Sequence, residues 1–310
     1  MILTSSLHPT PLLPARRLQS RLRLAGMHLK VEGVNATGTH KDRLARVQVA
    51  DALALGHDAV TVGTCGNHGT ALAFAASRAG LACRLFVPRR YHLPRLLEIE
   101  VQGAVVYWID GSYEAAVAAS AAYARKQGCY TANPGAVDHA GQAQRAYGPI
   151  AAEIVDALGA VPDAVAVPMG NGTTLWGIHQ GFVALRQAGR VDRLPRMIGA
   201  TTATGNAIVE SYCRGAALVS DLEADQPAES RVNQPLVAVH AYHGDLALGA
   251  VRESQGTMVA VCDADMLRAA RWLRQAERLR AMPASCCSLA ALLQMGDAGS
   301  RVAVITGRLN

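Results

Sequence analysis

An α/β architecture of two doubly wound parallel-sheet domains is predicted for this chain by three observations. Short apolar runs carrying β-branched residues alternate with helical patterns along nearly the whole length. The alternation falls into two runs of four, divided near residues 133–147. At 310 residues, 50% of them hydrophobic, the chain can bury one large core or two smaller ones.

In the first run the predicted strands are Met27–Glu32, Asp58–Gly63, Ala82–Val87 and Ala104–Ile109. The helical patterns that follow them span Asp42–Leu55, Asn67–Ala79, Leu93–Val101 and Tyr113–Gln127. The rhythm repeats after Gly159. Strands are expected at Asp163–Pro168, Arg196–Thr201, Thr257–Cys262 and Arg301–Thr306, with helices at Thr174–Ala188, Asn206–Cys213, Ala264–Glu277 and Ala284–Met295. Strands separated by helices of this length imply parallel sheets covered on both faces. The segment Asp221–Gly256 is rich in Pro, Gln and His and only weakly periodic, so it reads as loop lining or covering a cleft.

Composition excludes several functional classes. No repeat, low-complexity tract or long charge block interrupts the chain, which reads as globular throughout. The Ala-rich stretch Glu114–Ala124 is too short and too weakly hydrophobic for a span, so no membrane partner is expected. Met1–Ser6 lack a basic segment followed by an apolar core, and no secretion signal is read there. Seven irregularly spaced cysteines, Cys286 and Cys287 adjacent, match neither a disulfide framework nor a zinc pattern. They fit reduced thiols in a cytoplasmic protein. The net charge of +6 raises the question of nucleic acid, but the arginines are scattered and aromatics are few. Attraction for small anionic substrates is the reading preferred. His240 and His243 form a His-x-x-His without further ligands, so no metal is expected.

Three loops carry candidate chemistry. The first, Asn35 to Arg43, places Lys41 where a long helical pattern opens, beside Asp42. A cation at a helix start is mildly unfavourable, whereas Asp42 is favourable. Only three lysines occur (Lys30, Lys41 and Lys126) among 30 Lys and Arg, so basic surface positions are written almost entirely as arginine. Guanidinium stays protonated and cannot form a Schiff base, so a lysine at this turn reads as a catalytic amine. The second loop, Thr64-Cys65-Gly66-Asn67-His68-Gly69, lies between a strand and a helix. Its backbone amides and the Thr64 hydroxyl suit a carboxylate; a plain turn capped by Asn and Gly is the competing reading. The third, Pro168 to Leu175, contains Gly170, Asn171, Gly172, Thr173 and Thr174 at a helix N-terminus and reads as a phosphate cradle. A dinucleotide site competes, but Leu175 occupies the third glycine position and Arg196–Thr201 ends without the expected acid. No lysine follows the glycines, so the Walker pattern is absent.

An amine, a carboxylate nest and a phosphate cradle together point to pyridoxal 5'-phosphate, which joins an aldehyde to a phosphate. The chain resembles the fold-type-II pyridoxal-phosphate family, and within it the threonine synthases. Where that family shows Asn-Pro-Thr-Gly-Ser-Phe-Lys-Asp-Arg around its Schiff-base lysine, this chain has Asn35-Ala-Thr-Gly-Thr-His-Lys41-Asp-Arg43. Its Ser-Thr-Gly-Asn substrate loop is matched by Thr64-Cys-Gly-Asn67, and its Gly-Asn-Gly-Gly-Asn phosphate loop by Gly170-Asn-Gly-Thr-Thr174. Its late Glu-Pro-Ala-Ser-Ala-Ala and final Thr-Gly correspond to Met282-Pro-Ala-Ser285-Cys-Cys and Thr306-Gly307, and an early Thr-Pro-Leu to Thr10-Pro11-Leu12. The similarity runs in order from His8 to Gly307.

The resemblance implies two domains with the cofactor in the cleft between them, a large one of residues 1–45 and 141–310 and a smaller mobile one of 46–140 carrying the substrate loop. It implies a homodimeric lyase of amino-acid biosynthesis acting on a small amino-acid substrate. Lys41 would bind the aldehyde and serve as base on the α-proton. Asn67 would donate to the pyridine phenolic oxygen, Thr64 to His68 would hold the substrate carboxylate, and Gly170 to Thr174 the cofactor phosphate. Ser285 or Thr306 would face the pyridine nitrogen. His40, His68 and His139 are secondary candidates for proton handling, each with a structural role as the alternative.

The departures bear on substrate. The glutamate before Pro-Ala-Ser is Met282, and the phenylalanine before the lysine is His40. The Asn-Pro-x-Arg segment of threonine synthases is rebuilt as Asn133-Pro-Gly-Ala-Val-Asp138-His139, and a buried acid at Asp138 would oppose a substrate phosphate unless paired with an arginine. Arg43, Arg89 and Arg145 are the candidate phosphate contacts. Asn67-His68-Gly69 looks more like related dehydratases and ammonia-lyases. Elimination or replacement on O-phosphohomoserine, or on O-phosphoserine, serine or O-acetylserine, is therefore expected. The alternatives are a catalytically silent cofactor-binding protein and a nucleotide-dependent oxidoreductase.

Overall fold

The computed structural model describes residues 9–22, 26–91, 95–136, 138–223, 229–296 and 299–309. The chain divides into two compact units, Asn35–Ala146 forming the body of the first and Pro9–Val34 with Tyr147–Asn310 the second.

The second unit holds six strands: β1 (Leu12–Pro14), β2 (Met27–Val31), β7 (Ala164–Pro168), β8 (Arg196–Thr202), β9 (Thr257–Val261) and β10 (Arg301–Ile305). Their order is β1-β2-β10-β7-β8-β9. Only β1 runs antiparallel, and as an edge strand it tolerates Pro14. Here the sequence-based division into two runs of four is corrected, because β2 pairs with β10 and so joins the second sheet. Strand neighbours in a doubly wound sheet need not be sequence neighbours, and register across a long crossover leaves no local signal. Every residue of β7 and β10 is buried, and apart from Arg301 all of them are apolar. Met27, Leu29, Ala166, Ala303 and Ile305 form the sheet side of the core, with Leu289 and Leu292 packed on it.

The first unit's sheet has the order β5-β4-β3-β6, all parallel: β3 (Ala59–Gly63), β4 (Ala82–Pro88), β5 (Val105–Ile109) and β6 (Tyr130–Thr131). Its helices are α2 (Lys41–Ala54), α3 (Asn67–Ala79), α4 (Leu96–Val101) and α5 (Tyr113–Gln127). Val60, Val62, Leu72, Leu85, Val87 and Ile99 share one core. α5 crosses β3 so closely that a Cβ on Gly63 would lie 2.5 Å from the Val117 backbone, which only glycine allows. α4 starts at Leu96, later than expected; Leu93 lies outside the described residues.

Several elements were not anticipated from the sequence. They are α1 (Arg16–Leu22), β1, β6 and the 20-residue α6 (His139–Leu158), which spans the stretch read as a domain divide and carries Pro149 in its interior. The rest of the second unit follows the expected rhythm with α7 (Thr173–Gln187), α8 (Ala207–Cys213), α10 (Asp263–Trp272) and α11 (Cys287–Gln294). Reading 221–256 as loop is corrected, since Gly244–Glu253 forms helix α9. Ala247, Leu248, Ala250 and Val251 form its buried stripe, which small residues render faint in sequence.

Candidate active site

The lysines sort themselves by environment. Lys30 on β2 is fully buried, and its Nζ donates to Glu153 and to the Thr10 carbonyl, each at 2.5 Å. A paired buried ammonium of this kind is structural. Lys126 is exposed in the last turn of α5, where a cation meets the negative end of the helix dipole. Lys41 instead opens α2, partly buried, with its N–H donating to Thr39 Oγ1 at 3.1 Å. Asp42 ties down the preceding turn by accepting from Thr37 N–H at 2.8 Å and Thr37 Oγ1 at 2.7 Å. Gly38 in that turn has φ 79° and donates to Asn35 O at 2.8 Å. Desolvation pushes the Lys41 ammonium down to about 8, against the opposing influence of the Cys65 thiol. An amine that loses its proton near neutrality can act as nucleophile and base, as an exposed lysine cannot.

The loop after β3 turns at Gly66, whose φ of 148° excludes a side chain. Thr64 is buried, and its Oγ1 accepts from Gly66 N–H and Gly69 N–H, both at 3.1 Å. This corrects the expectation that the Gly66 amide faces a ligand, because the Thr64 hydroxyl takes it up in shaping the loop. With both acceptor positions filled, the Thr64 hydroxyl keeps its proton to donate. The first main-chain bond of α3 runs from Thr70 N–H to Gly66 O, so Asn67 and His68 contribute the helix-start amides that lack an intrahelical acceptor. Asn133 Oδ1 accepts from Gly63 N–H at 2.7 Å and fixes where the loop begins. His68 Nε2 lies 2.8 Å from Gln48 Oε1. Burial first, then the charges of Lys41 and His139, hold its imidazole well below the usual range.

In the second unit the loop after β7 has its carbonyls drawn into the protein. Buried Asn206 donates Nδ2 to Met169 O at 3.3 Å and to Gly170 O at 3.1 Å, while His243 N–H donates to Asn171 O at 3.1 Å. Gly172 sits at φ 83° before α7, and the first helical bond runs from Trp176 N–H to it. The amides of Thr173, Thr174 and Leu175 therefore lack intrahelical acceptors, and Gly172 has no side chain to cap them. Asn171 Oδ1, an acceptor, is buried without a partner among the described residues, whereas the helix-start amides are donors. This donor set fits a phosphate. Sequence reading missed Asn206, although it had placed that residue at a helix start; the same side chain caps α8 through Ile208 N–H at 3.1 Å.

Ser285 and Thr306, offered as alternatives by the sequence, are adjacent. Thr306 Oγ1 donates to Ser285 Oγ at 3.0 Å, and both are buried. Ser285 then retains its own proton for an acceptor, which fits a pyridine nitrogen.

The candidate phosphate-reading arginines are otherwise engaged. Arg89 is exposed and paired with Asp110 at 3.0 Å, and Arg43 is fully buried. Arg145 donates to Asp51 at 2.5 Å and to Asp138 at 3.2 Å. Asp138 is not a buried acid: its side chain is 59% exposed, so the expected repulsion of a phosphate falls away. His240 pairs with Asp221 at 2.9 Å. No helix among the described residues is long and apolar enough to cross a membrane.

A desolvated amine opens a helix of the first unit, and an anion cradle opens a helix of the second. The chain belongs to the family of pyridoxal-phosphate dependent enzymes, whose profile matches residues 3–307. It is 31% identical over 297 residues to threonine synthase of Mycobacterium tuberculosis (strain H37Rv), covering 94% of this chain and 76% of the relative. To threonine synthase of Synechocystis it is 32% identical over 307 residues, with 96% and 75% covered. Among solved structures, diaminopropionate ammonia lyase from Escherichia coli superposes with a TM-score of 0.82 at 16% identity, covering 99% of this chain and 86% of that one. A fungal L-serine ammonia-lyase from Rhizomucor miehei gives 0.80 at 21% identity, with 97% and 94% covered. The fold is that of the fold-type-II enzymes, the cofactor is pyridoxal 5'-phosphate, and the protein is a pyridoxal-phosphate-dependent lyase similar to threonine synthases.

Proposed function

We propose that the chain catalyses elimination or replacement on a small amino acid bearing a β- or γ-leaving group, with a threonine-synthase-like conversion of O-phosphohomoserine as the leading reaction. The observation that carries this reading is the neutral hydroxyl pair Ser285–Thr306. A hydroxyl facing the pyridine nitrogen does not hold it protonated as a carboxylate would, which disfavours transamination.

When bound, the cofactor supplies an electron sink for the charge left as a proton departs the substrate's α-carbon. Lys41 Nζ would hold its aldehyde, and its free amine would accept the proton from the substrate's α-carbon. Its depressed basicity keeps a fraction of the amine neutral for both tasks. Gly170 to Thr174 would hold the cofactor phosphate by helix-start amides, and Asn67 would donate to the ring oxygen. The Thr64 hydroxyl and the amides of Asn67 and His68 orient the substrate carboxylate. Gly66 serves by its conformation, and the Cys65 thiol acts electrostatically on the amine.

A second reading, a β-replacement synthase or dehydratase acting on O-phosphoserine, serine or O-acetylserine, is favoured by the engagement of Arg89 and Arg145 with Asp110, Asp51 and Asp138. Steady-state assays on the four compounds separate the two. A kcat/KM for O-phosphohomoserine well above the rest supports the leading reaction, and one below serine or O-acetylserine overturns it.

A further inference from the structure

His68 stands at the end of a chain of side-chain amides whose direction can be read from its far end. Asp51 is a carboxylate and only accepts, so Gln142 must turn its amino group toward it, at 3.0 Å. The same amino group donates to the Tyr130 hydroxyl. The Gln142 carbonyl oxygen is thereby directed to Gln48, whose Nε2 donates to it at 3.3 Å. Gln48 Nε2 also donates to Ala132 O at 3.1 Å, a main-chain acceptor that fixes the same orientation independently. Gln48 Oε1 is thus the atom facing His68, 2.8 Å from Nε2. An oxygen there demands a proton on Nε2, which leaves Nδ1 as the accepting nitrogen of a neutral ring. Gln48 is fully buried, and Arg145 holds Asp51 at 2.5 Å.

We propose that His68 works as a neutral imidazole of fixed tautomer, with Gln48 and Gln142 as the positioning residues that keep it so; the proposal rests on reading Lys41 and the 64–68 loop as the reactive site. The ring then adds no cation to the substrate loop, and its Nδ1 is left as a hydrogen-bond acceptor in the electrostatic neighbourhood of Lys41. The charged or titratable groups around it are Lys41 and Asp51 of α2, Cys65 of the loop, His139 and Arg145 of α6, Tyr130 of β6, and Asp138. Of these, Lys41 and His139 oppose a charge on His68 directly.

The test is imidazole NMR of the holoenzyme labelled with 15N-histidine, with the His68 signals assigned by their loss in His68→Gln. The wild-type ring should be an Nε2–H tautomer, still neutral at pH 6. Gln48→Glu keeps the acceptor and adds a charge, so the His68 pKa should rise by about 1 to 3 units, and the acid limb of kcat/KM should move with it. Gln48→Met should admit the Nδ1–H tautomer. A wild-type ring that is Nδ1–H or cationic at pH 7 overturns the proposal without any variant having to fold. So does a Gln48→Glu enzyme whose His68 titrates as in wild type, the result expected of a purely structural glutamine. Cofactor found on a lysine other than Lys41 would instead overturn the functional reading and leave the tautomer assignment standing.

Discussion

Thr306 Oγ1 donates to Ser285 Oγ across 3.0 Å, so one hydroxyl orients the other and only Ser285 keeps a proton for a further acceptor. The two residues lie 21 positions apart, one after the short helical turn Pro283–Cys286 begins and one just beyond β10. The pair gives the two positions unequal weight. Ser285→Asp should slow elimination and let transamination appear, because a carboxylate would hold the ring nitrogen protonated. Thr306→Val should lower kcat/KM only about five-fold, the worth of one ~1 kcal/mol hydrogen bond. Product analysis decides: unchanged turnover and products in Ser285→Asp would show that Ser285 does not contact the nitrogen.

Gly172 controls the phosphate loop through conformation. At φ 83° an L side chain is strained, and its Cβ would lie 2.6 Å from Ala247 Cβ and 2.8 Å from His243 O. Gly172→Ala should cost about 1–3 kcal/mol at the cradle, weakening cofactor binding about 5- to 150-fold. Gly249→Ala on α9, where an added Cβ meets nothing within 4 Å, is the matched control and should leave affinity within about two-fold. Titration of the apo-enzyme with pyridoxal phosphate reads both. Equal affinities for the two variants would remove this loop from the site.

Lys41 predicts a pH-dependent stability of the apo-enzyme. Its amine falls from 10.5 to about 8 on folding, so between these values the unfolded chain binds the proton more tightly. Stability from this group therefore rises with pH across that window, and below pH 8 the desolvated ammonium is a liability of up to about 3 kcal/mol. Apo Lys41→Met should be more stable than wild type at pH 7, and the gap should close by pH 10. Urea unfolding at both pH values measures it, and a gap independent of pH would show that Lys41 is not desolvated.

Much of this was legible in the sequence because it is local. The limits of α3 and α5 were read to the residue, since Asn67 and Tyr113 open and Ala79 and Gln127 close clear helical patterns. The loops holding Lys41, Gly66 and Gly172 stand out because each joins a strand end to a helix start, where glycine and small polar residues carry a conformational meaning. What failed was non-local. The pairing of β2 with β10 spans most of the chain, and α9 hid behind alanine and glycine. Asn206, Gln48 and Gln142 were passed over for the same reason, because an amide's role is set by partners it meets only after folding. Asp138 was weighed as a buried acid and proved a surface partner of Arg145.

The central claim is that Lys41, and no other amine of this chain, bears the cofactor aldehyde. Lys30 is committed to Glu153 and Thr10, and Lys126 lies on an exposed helix end. Borohydride reduction of the holoenzyme followed by peptide mapping tests this in one step. The account predicts a single reduced adduct on the peptide containing Lys41, and an adduct on Lys30 or Lys126 would contradict it.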